Sequence, residues 1–270
     1  MVFTTQACSR QSCYAPPPTA SSISATPVKP SVTPSAPLPE SATCPPSGAW
    51  VAEKCLTNLD SPRTVVHEVG PLETIWRLSK MYNVPAESIY SANHLRPGES
   101  IHIGQKLTIP NAKMLRNVIS LYPNNKWKYI IIHHTATDIG KASLINRNHQ
   151  DRGFWNGLGY HFLIDNGTLG KGDGQIEVAP RWIKQQNGAH CKAGGMNEKG
   201  IGIALVGNFS QDVPTPSQMD SLVYLLKTLC NYYKIPAYHV KGHRDVDGAN
   251  TECPGSRFPW YSVRQCLSTF

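Results

Sequence analysis

Residues 127–137 read WKYIIIHHTAT, and the fold follows from how that stretch is understood. It is an apolar run of strand length ending in two histidines, so it is predicted to be a buried sheet strand that carries an imidazole to the sheet's end. Side chains alternate along a strand, so His133 and His134 point to opposite sides and only one of them serves a given site. A distant segment, residues 242–255, GHRDVDGANTECPG, supplies a further imidazole at His243 and a thiol at Cys253 on a Gly-rich loop. Two imidazoles and a thiolate suit tetrahedral zinc, Zn2+. Three protein ligands leave a fourth position for water, which is how catalytic zinc sites are built.

The rest of the composition sets bounds. A chain of 270 residues with 40% hydrophobic content has room for one fair-sized core and a small module. The net charge of +8, from 26 Lys and Arg against 18 Asp and Glu, favours a polyanionic partner. No dense basic cluster carries interleaved aromatics, so nucleic acid is not expected as that partner. No run approaches the ~18 apolar residues of a membrane span. The start, MVFTTQACSRQSCY, has no basic segment followed by an apolar one, so no secretory signal is expected. Eight cysteines suggest an oxidising destination, with Cys8 to Cys13, Cys44 to Cys55 and Cys230 to Cys266 as candidate bridges. A fully reduced set is the alternative, and spacing does not decide the connectivity.

Four regions follow along the chain. Residues 1–46 are rich in Pro, Ser and Thr, with ten of the 22 prolines between 14 and 46, a composition expected of a tail or linker. Residues 47–62 are a short Cys-containing segment, and Cys44 to Cys55, with Trp50 inside, is read as a small bridged loop that starts the ordered region. In residues 63–111 a strand (TVVHEV), a turn at Gly70-Pro71, two helical stretches and a closing strand (ESIHIGQKLTIP) predict a βααβ module. Residues 115–270 form the main domain, predicted as α/β with a mixed central sheet flanked by helices. In it YHFLI (160–164) is the next strand, IGIALV (201–206) is apolar throughout and therefore central, and Thr215-Pro216-Ser217-Gln218 caps a helix that runs to Pro236.

The small module resembles a LysM domain, through its Trp76-containing helix, the step Asn93-His94-Leu95 and above all the ending GQKLTIP (104–110). It departs from the pattern at Gly70-Pro71-Leu72-Glu73. The resemblance implies recognition of N-acetylglucosamine-containing glycans by the loop after the first strand and the loop between the second helix and the last strand.

The main domain, over about residues 125–265, resembles the zinc-dependent N-acetylmuramoyl-L-alanine amidases, or type 2 amidases, whose animal relatives are the peptidoglycan recognition proteins. IIIHHTAT, LGYHFLID, GAHCKAGGMNEKGIGIALVGNF and GHRDVDGANTECPG carry the likeness in that order. It implies zinc ligands at His133, His243 and Cys253, a catalytic Tyr160, and Thr251 in the position held by Lys or Thr. His161, His190 and Asn197 are candidates for the substrate groove. Some members keep a catalytic Glu where this chain has Ala204. The implied activity is hydrolysis of the amide between N-acetylmuramic acid and the L-alanine of the stem peptide, with the LysM-like module holding the protein on peptidoglycan. A binding-only recognition protein and a zinc peptidase cutting within the stem are the alternatives. The place of action is then the bacterial cell wall, in the periplasm or outside the cell, reached by lysis or a non-classical secretion route. A secretion carrier or an immunity protein is a further candidate partner.

Overall fold

A computed structural model describes residues 49–153 and 157–268. The expected tail, residues 1–46, with Cys8, Cys13 and Cys44, lies outside them.

β1 (Trp50–Glu68) and β2 (Lys106–Leu121) pair antiparallel as a ribbon, with Trp50 opposite Leu121 at one end and Glu68 opposite Lys106 at the other. Residues 50–62, expected to start in a bridged loop, are therefore strand, and Cys55 is an exposed thiol on it. Their own pattern, with Glu53, Lys54, Asn58 and Asp60, is a weak strand signal. The strand forms because β2 offers a partner anchored by the buried Val118, Ile119 and Leu121.

Between the two strands lie α1 (Ile75–Tyr82) and α2 (Ala86–Ala92). The Thr74 hydroxyl accepts the Arg77 amide and starts α1, and Asn83 in the left-handed region (φ 54°) ends it. Ile75, Leu78, Met81 and Ile89 pack with Leu107, Ile109 and Val118 as a core of their own. This is the expected βααβ module.

The second sheet has five strands in the order β5-β4-β6-β3-β7. These are β3 (Tyr129–His134), β4 (Phe162–Asn166), β5 (Asp173–Val178), β6 (Gly200–Leu205) and β7 (Val240–Gly242). β4, β6, β3 and β7 run parallel and β5 returns antiparallel to β4, so the sheet is mixed. β6 is the middle strand and every residue in it is buried, as its unbroken apolar run requires.

Ile130, Ile132, Ile201 and Ile203 face the long helix over Pro216–Tyr233, meeting Leu222, Leu225, Leu226 and Leu229. That helix starts with a capping box, Thr215 and Gln218 each binding the other's backbone amide. On the opposite face Leu163, Ala204 and Val206 pack with Ala142 and Ile145 of a shorter helix (Ala142–Asp151). A single 3-10 turn (Ala237–His239) leads into β7. No disulfide joins Cys230 to Cys266, which corrects that expectation. Among the described residues no helix is long and apolar enough to cross a membrane.

The loop after β1 lies against the β5 edge of this sheet. Val69, Gly70, Pro71 and Glu73 are buried, and a Cβ on Gly70 would sit 3.2 Å from Glu177 Oε2. The first of the two loops implied for glycan contact is thus covered, whereas residues 96–100 and 102–104, between α2 and β2, are exposed. A buried polar network fills the junction. Glu73 Oε2 is 2.7 Å from His67 Nε2 and accepts the Gly70 amide at 2.7 Å. Arg77 lies 3.5 Å from the other Glu73 oxygen and donates to Val118 O at 3.2 Å and to Ile176 O, on β5, at 3.0 Å. Lys171 pairs with Glu177 at 2.9 Å and donates to Glu68 O at 3.2 Å. Burial acts to raise the Glu73 pKa, but the charges of His67, Lys171 and Arg77 outweigh it and hold the carboxyl far below the usual range.

Asp165 is the opposite case. It is fully buried against Glu177, and burial together with the charge of Glu177 pushes its pKa well up, so the protonated carboxyl is placed to donate to Glu177. The folded state therefore keeps a proton that the unfolded chain releases above about pH 4, so this group lowers stability progressively as pH rises. Asp165→Asn removes that dependence. Chemical denaturation should show the variant equal to the parent near pH 4 and increasingly more stable from pH 5 to 8. A variant less stable than the parent at pH 8 would mean that Asp165 is an ionised partner of Lys171 instead.

Candidate metal centre

β3 ends at the site. His133 is almost completely buried on the face opposite the long helix, beside Ala204 of β6 in the pairing register. No carboxylate stands there, because the cross-strand neighbour has only a methyl group. His134 points to the other face, where its Nδ1 accepts the Phe209 amide at 3.1 Å. The pair thus divides as strand alternation requires.

β7 leads directly into a single 3-10 turn, His243–Asp245, which presents the second imidazole. The Arg244 amide donates to Cys253 O at 2.8 Å and ties that turn to the Cys253 loop. Asp245 accepts the Gly242 amide at 3.1 Å, so it closes the turn and does not orient an imidazole. One ligand atom from each of His133, His243 and Cys253 lies within 4.8 Å of the others, although His133 is more than a hundred residues from the other two in the chain. Cys253 Sγ is 3.6 Å from His133 Nδ1 and accepts the His134 amide at 3.4 Å.

The electrostatics suit a cation. Burial, followed by the neighbouring His190, His243 and His134, holds His133 neutral with its pKa far down, and burial also lowers His243. Both imidazoles therefore offer lone pairs at neutral pH. Burial pushes the Cys253 thiol up to about 11, so its thiolate forms only against a compensating positive charge. Two neutral imidazoles and a thiol that only a cation would ionise form a donor set that fits zinc.

Tyr160 is not on β4 but on the bend before it, two residues ahead of Phe162. Its ring centroid lies 5.1 Å from that of His133 and 5.7 Å from that of His149. Burial and the adjacent Cys253 raise its pKa above the normal phenol value, so it stays a protonated donor. Thr251 Oγ1 accepts the Cys253 amide at 3.2 Å and shapes the loop that carries the thiol.

The three groove candidates lie elsewhere than expected. His161 has no exposed surface: its Nδ1 accepts the Gly202 amide at 2.9 Å and its Nε2 donates to Gln186 O at 3.1 Å. Both ring nitrogens are used on backbone, so the ring knits the sheet together. Asn197 Oδ1 accepts the amides of His190 and Cys191, both at 2.8 Å, and clamps that loop. His190 is buried behind His133, 3.0 Å from its Nε2. Only its place in the Gly-rich run GAHCKAGG hinted at a tightly packed ring.

Residues 123–256 match the family described as N-acetylmuramoyl-L-alanine amidase, and residues 67–110 match the LysM domain. A peptidoglycan-recognition protein SC2 of Drosophila melanogaster is 33% identical over 149 residues, covering 52% of this chain and 74% of that protein. An N-acetylmuramoyl-L-alanine amidase of Homo sapiens is 29% identical over 139 residues, 47% of this chain and 22% of its own length. Among solved structures, the N-acetylmuramoyl-L-alanine amidase LysC from Clostridium intestinale is 36% identical, with TM-score 0.46, over 53% of this chain and 86% of that one.

Proposed function

This chain belongs to the N-acetylmuramoyl-L-alanine amidase family, and from that premise we propose that it hydrolyses the amide joining the lactyl group of N-acetylmuramic acid to L-alanine in peptidoglycan. The observation that carries the reading is the convergence of His133, His243 and Cys253 beside a half-buried, protonated Tyr160. The three side chains would hold zinc. When bound, zinc supplies Lewis acidity toward a carbonyl oxygen and a water nucleophile that ionises near neutral pH.

The protein's own residues do the remainder. With Ala204 beside His133, β6 supplies no carboxylate base at that position, so the ligand set carries more of the chemistry. Tyr160 donates from its hydroxyl to the oxygen on which charge develops as the amide carbon becomes tetrahedral. Such a donor is effective because it is already oriented and partly dry. Thr251, whose oxygen accepts the Cys253 amide, still has its hydroxyl proton to give to the same charge. The LysM module holds the glycan strand and raises the local concentration of cleavable amides.

The test is digestion of purified sacculi by the zinc-loaded protein, with and without chelator, followed by amino-terminal labelling and mass spectrometry. Chelator-sensitive release of stem peptides beginning with L-alanine is the expected result. Intact muropeptides would identify a binding-only recognition protein, and breaks within the stem would identify a peptidase.

A further inference from the structure

We propose that His190 is a positioning residue whose ring fixes both the tautomer and the plane of His133, so that the His133 Nδ1 lone pair faces the metal position. The inference rests on the metal-site reading above and deepens it. Its starting point is a chain of two hydrogen bonds. His190 Nε2 lies 3.2 Å from Gly200 O, and His190 Nδ1 lies 3.0 Å from His133 Nε2. A carbonyl oxygen only accepts, so the His190 proton is on Nε2 and its Nδ1 carries the lone pair. The facing His133 Nε2 must then be the donor. The remaining nitrogen of His133, Nδ1, has no proton, and it is the atom 3.6 Å from Cys253 Sγ.

A second observation, independent of the hydrogen bonds, is the slot that holds the His190 ring. A Cβ on Gly188 would lie 2.3 Å from His190 Cδ2, and one on Gly202 would lie 2.4 Å from the same atom. Only glycine at both places lets the ring in. The backbone of His190 is held as well, through its amide donated to Asn197 Oδ1. Metal-bound histidines ordinarily donate their other N–H to a carboxylate, a carbonyl or water, and loss of that partner weakens metal binding or activity about 10–100-fold. Here the carbonyl of Gly200 acts on His133 through an intervening imidazole.

Four proteins and two readouts decide it. Phe at position 190 fills the slot but can neither accept nor donate, whereas Gln keeps an oxygen for His133 Nε2 and an N–H for Gly200 O. Zinc affinity by chelator competition should fall about 10–100-fold in His190→Phe and return toward the parent value in His190→Gln. Imidazole 15N–1H correlation spectra of the zinc-free parent protein should show His133 protonated on Nε2 alone. In His190→Phe they should show a mixture of tautomers. A parent His133 protonated on Nδ1 overturns the proposal without any variant. So does a His190→Phe protein that binds zinc as tightly as the parent while His133→Ala has lost binding. Should His133→Ala also bind zinc like the parent, it is the metal-site reading that fails.

Discussion

Cys253→Ser is expected to abolish release of L-alanyl amino termini from sacculi while leaving the fold intact. The sulfur is the softest of the three donors, and a serine hydroxyl keeps its proton at neutral pH, so the replacement site has two imidazoles and a weak neutral oxygen. Losing the ligand forfeits the several kcal/mol that a Lewis acid supplies, and at about 1.4 kcal/mol per decade the rate falls ~1000-fold or more. The packing argues that this is chemistry and not unfolding. Cys253 is partly buried, its amide is held by Thr251 and its carbonyl by the Arg244 amide, and none of those bonds involves sulfur. Metal analysis and thermal unfolding should accompany the assay. Full activity in a zinc-depleted Cys253→Ser protein would remove the ligand assignment.

The second large effect is on Tyr160→Phe. The phenyl ring retains the contacts with His133 and His149, so the change is confined to one hydroxyl. Removing a preoriented donor to a developing oxyanion lowers kcat by roughly 100- to 1000-fold. KM and zinc affinity should stay close to the parent values, because the hydroxyl acts on charge that is absent in the ground state. The raised pKa of Tyr160 adds a check: ionisation of this phenol should cause no loss of activity below about pH 10. A Tyr160→Phe enzyme with unchanged kcat would show Tyr160 to be a packed aromatic and nothing more.

The placement of the glycan module bears on how these assays are built. Arg77 reaches from α1 to a carbonyl on β5, and Gly70 lies against Glu177, so the module and the sheet share a buried boundary. Removing such a partner from a buried charge network costs about 3–5 kcal/mol. Assays are therefore best done on the whole chain, since cutting between β2 and β3 would strip Glu177 and Lys171 of the groups that cover them.

Much was legible because it is written in local periods. The run of isoleucines before His133 states a buried strand, alternation separates His133 from His134, and Thr215 with Gln218 states where the long helix begins. Residue identity offered two imidazoles and a thiol as candidate donors, and the family resemblance chose His133 over His134; the fold brings His133, His243 and Cys253 together. What a side chain touches across the sheet is not periodic in the chain and escaped that reading. Residues 50–58 became strand because β2 paired with them, Tyr160 fell on a bend ahead of β4, and His161 turned inward to two backbone groups. The covered loop at Gly70 and the role of His190 depend on close approach between segments distant in sequence, and no local pattern records such contacts. The sequence by itself determined the strand and the caps, since these follow from spacing and side-chain chemistry. The tertiary structure alone decided which nitrogen of His133 faces Cys253 and which loop of the LysM module is open, because both depend on hydrogen bonds and packing that exist only once the sheet has assembled.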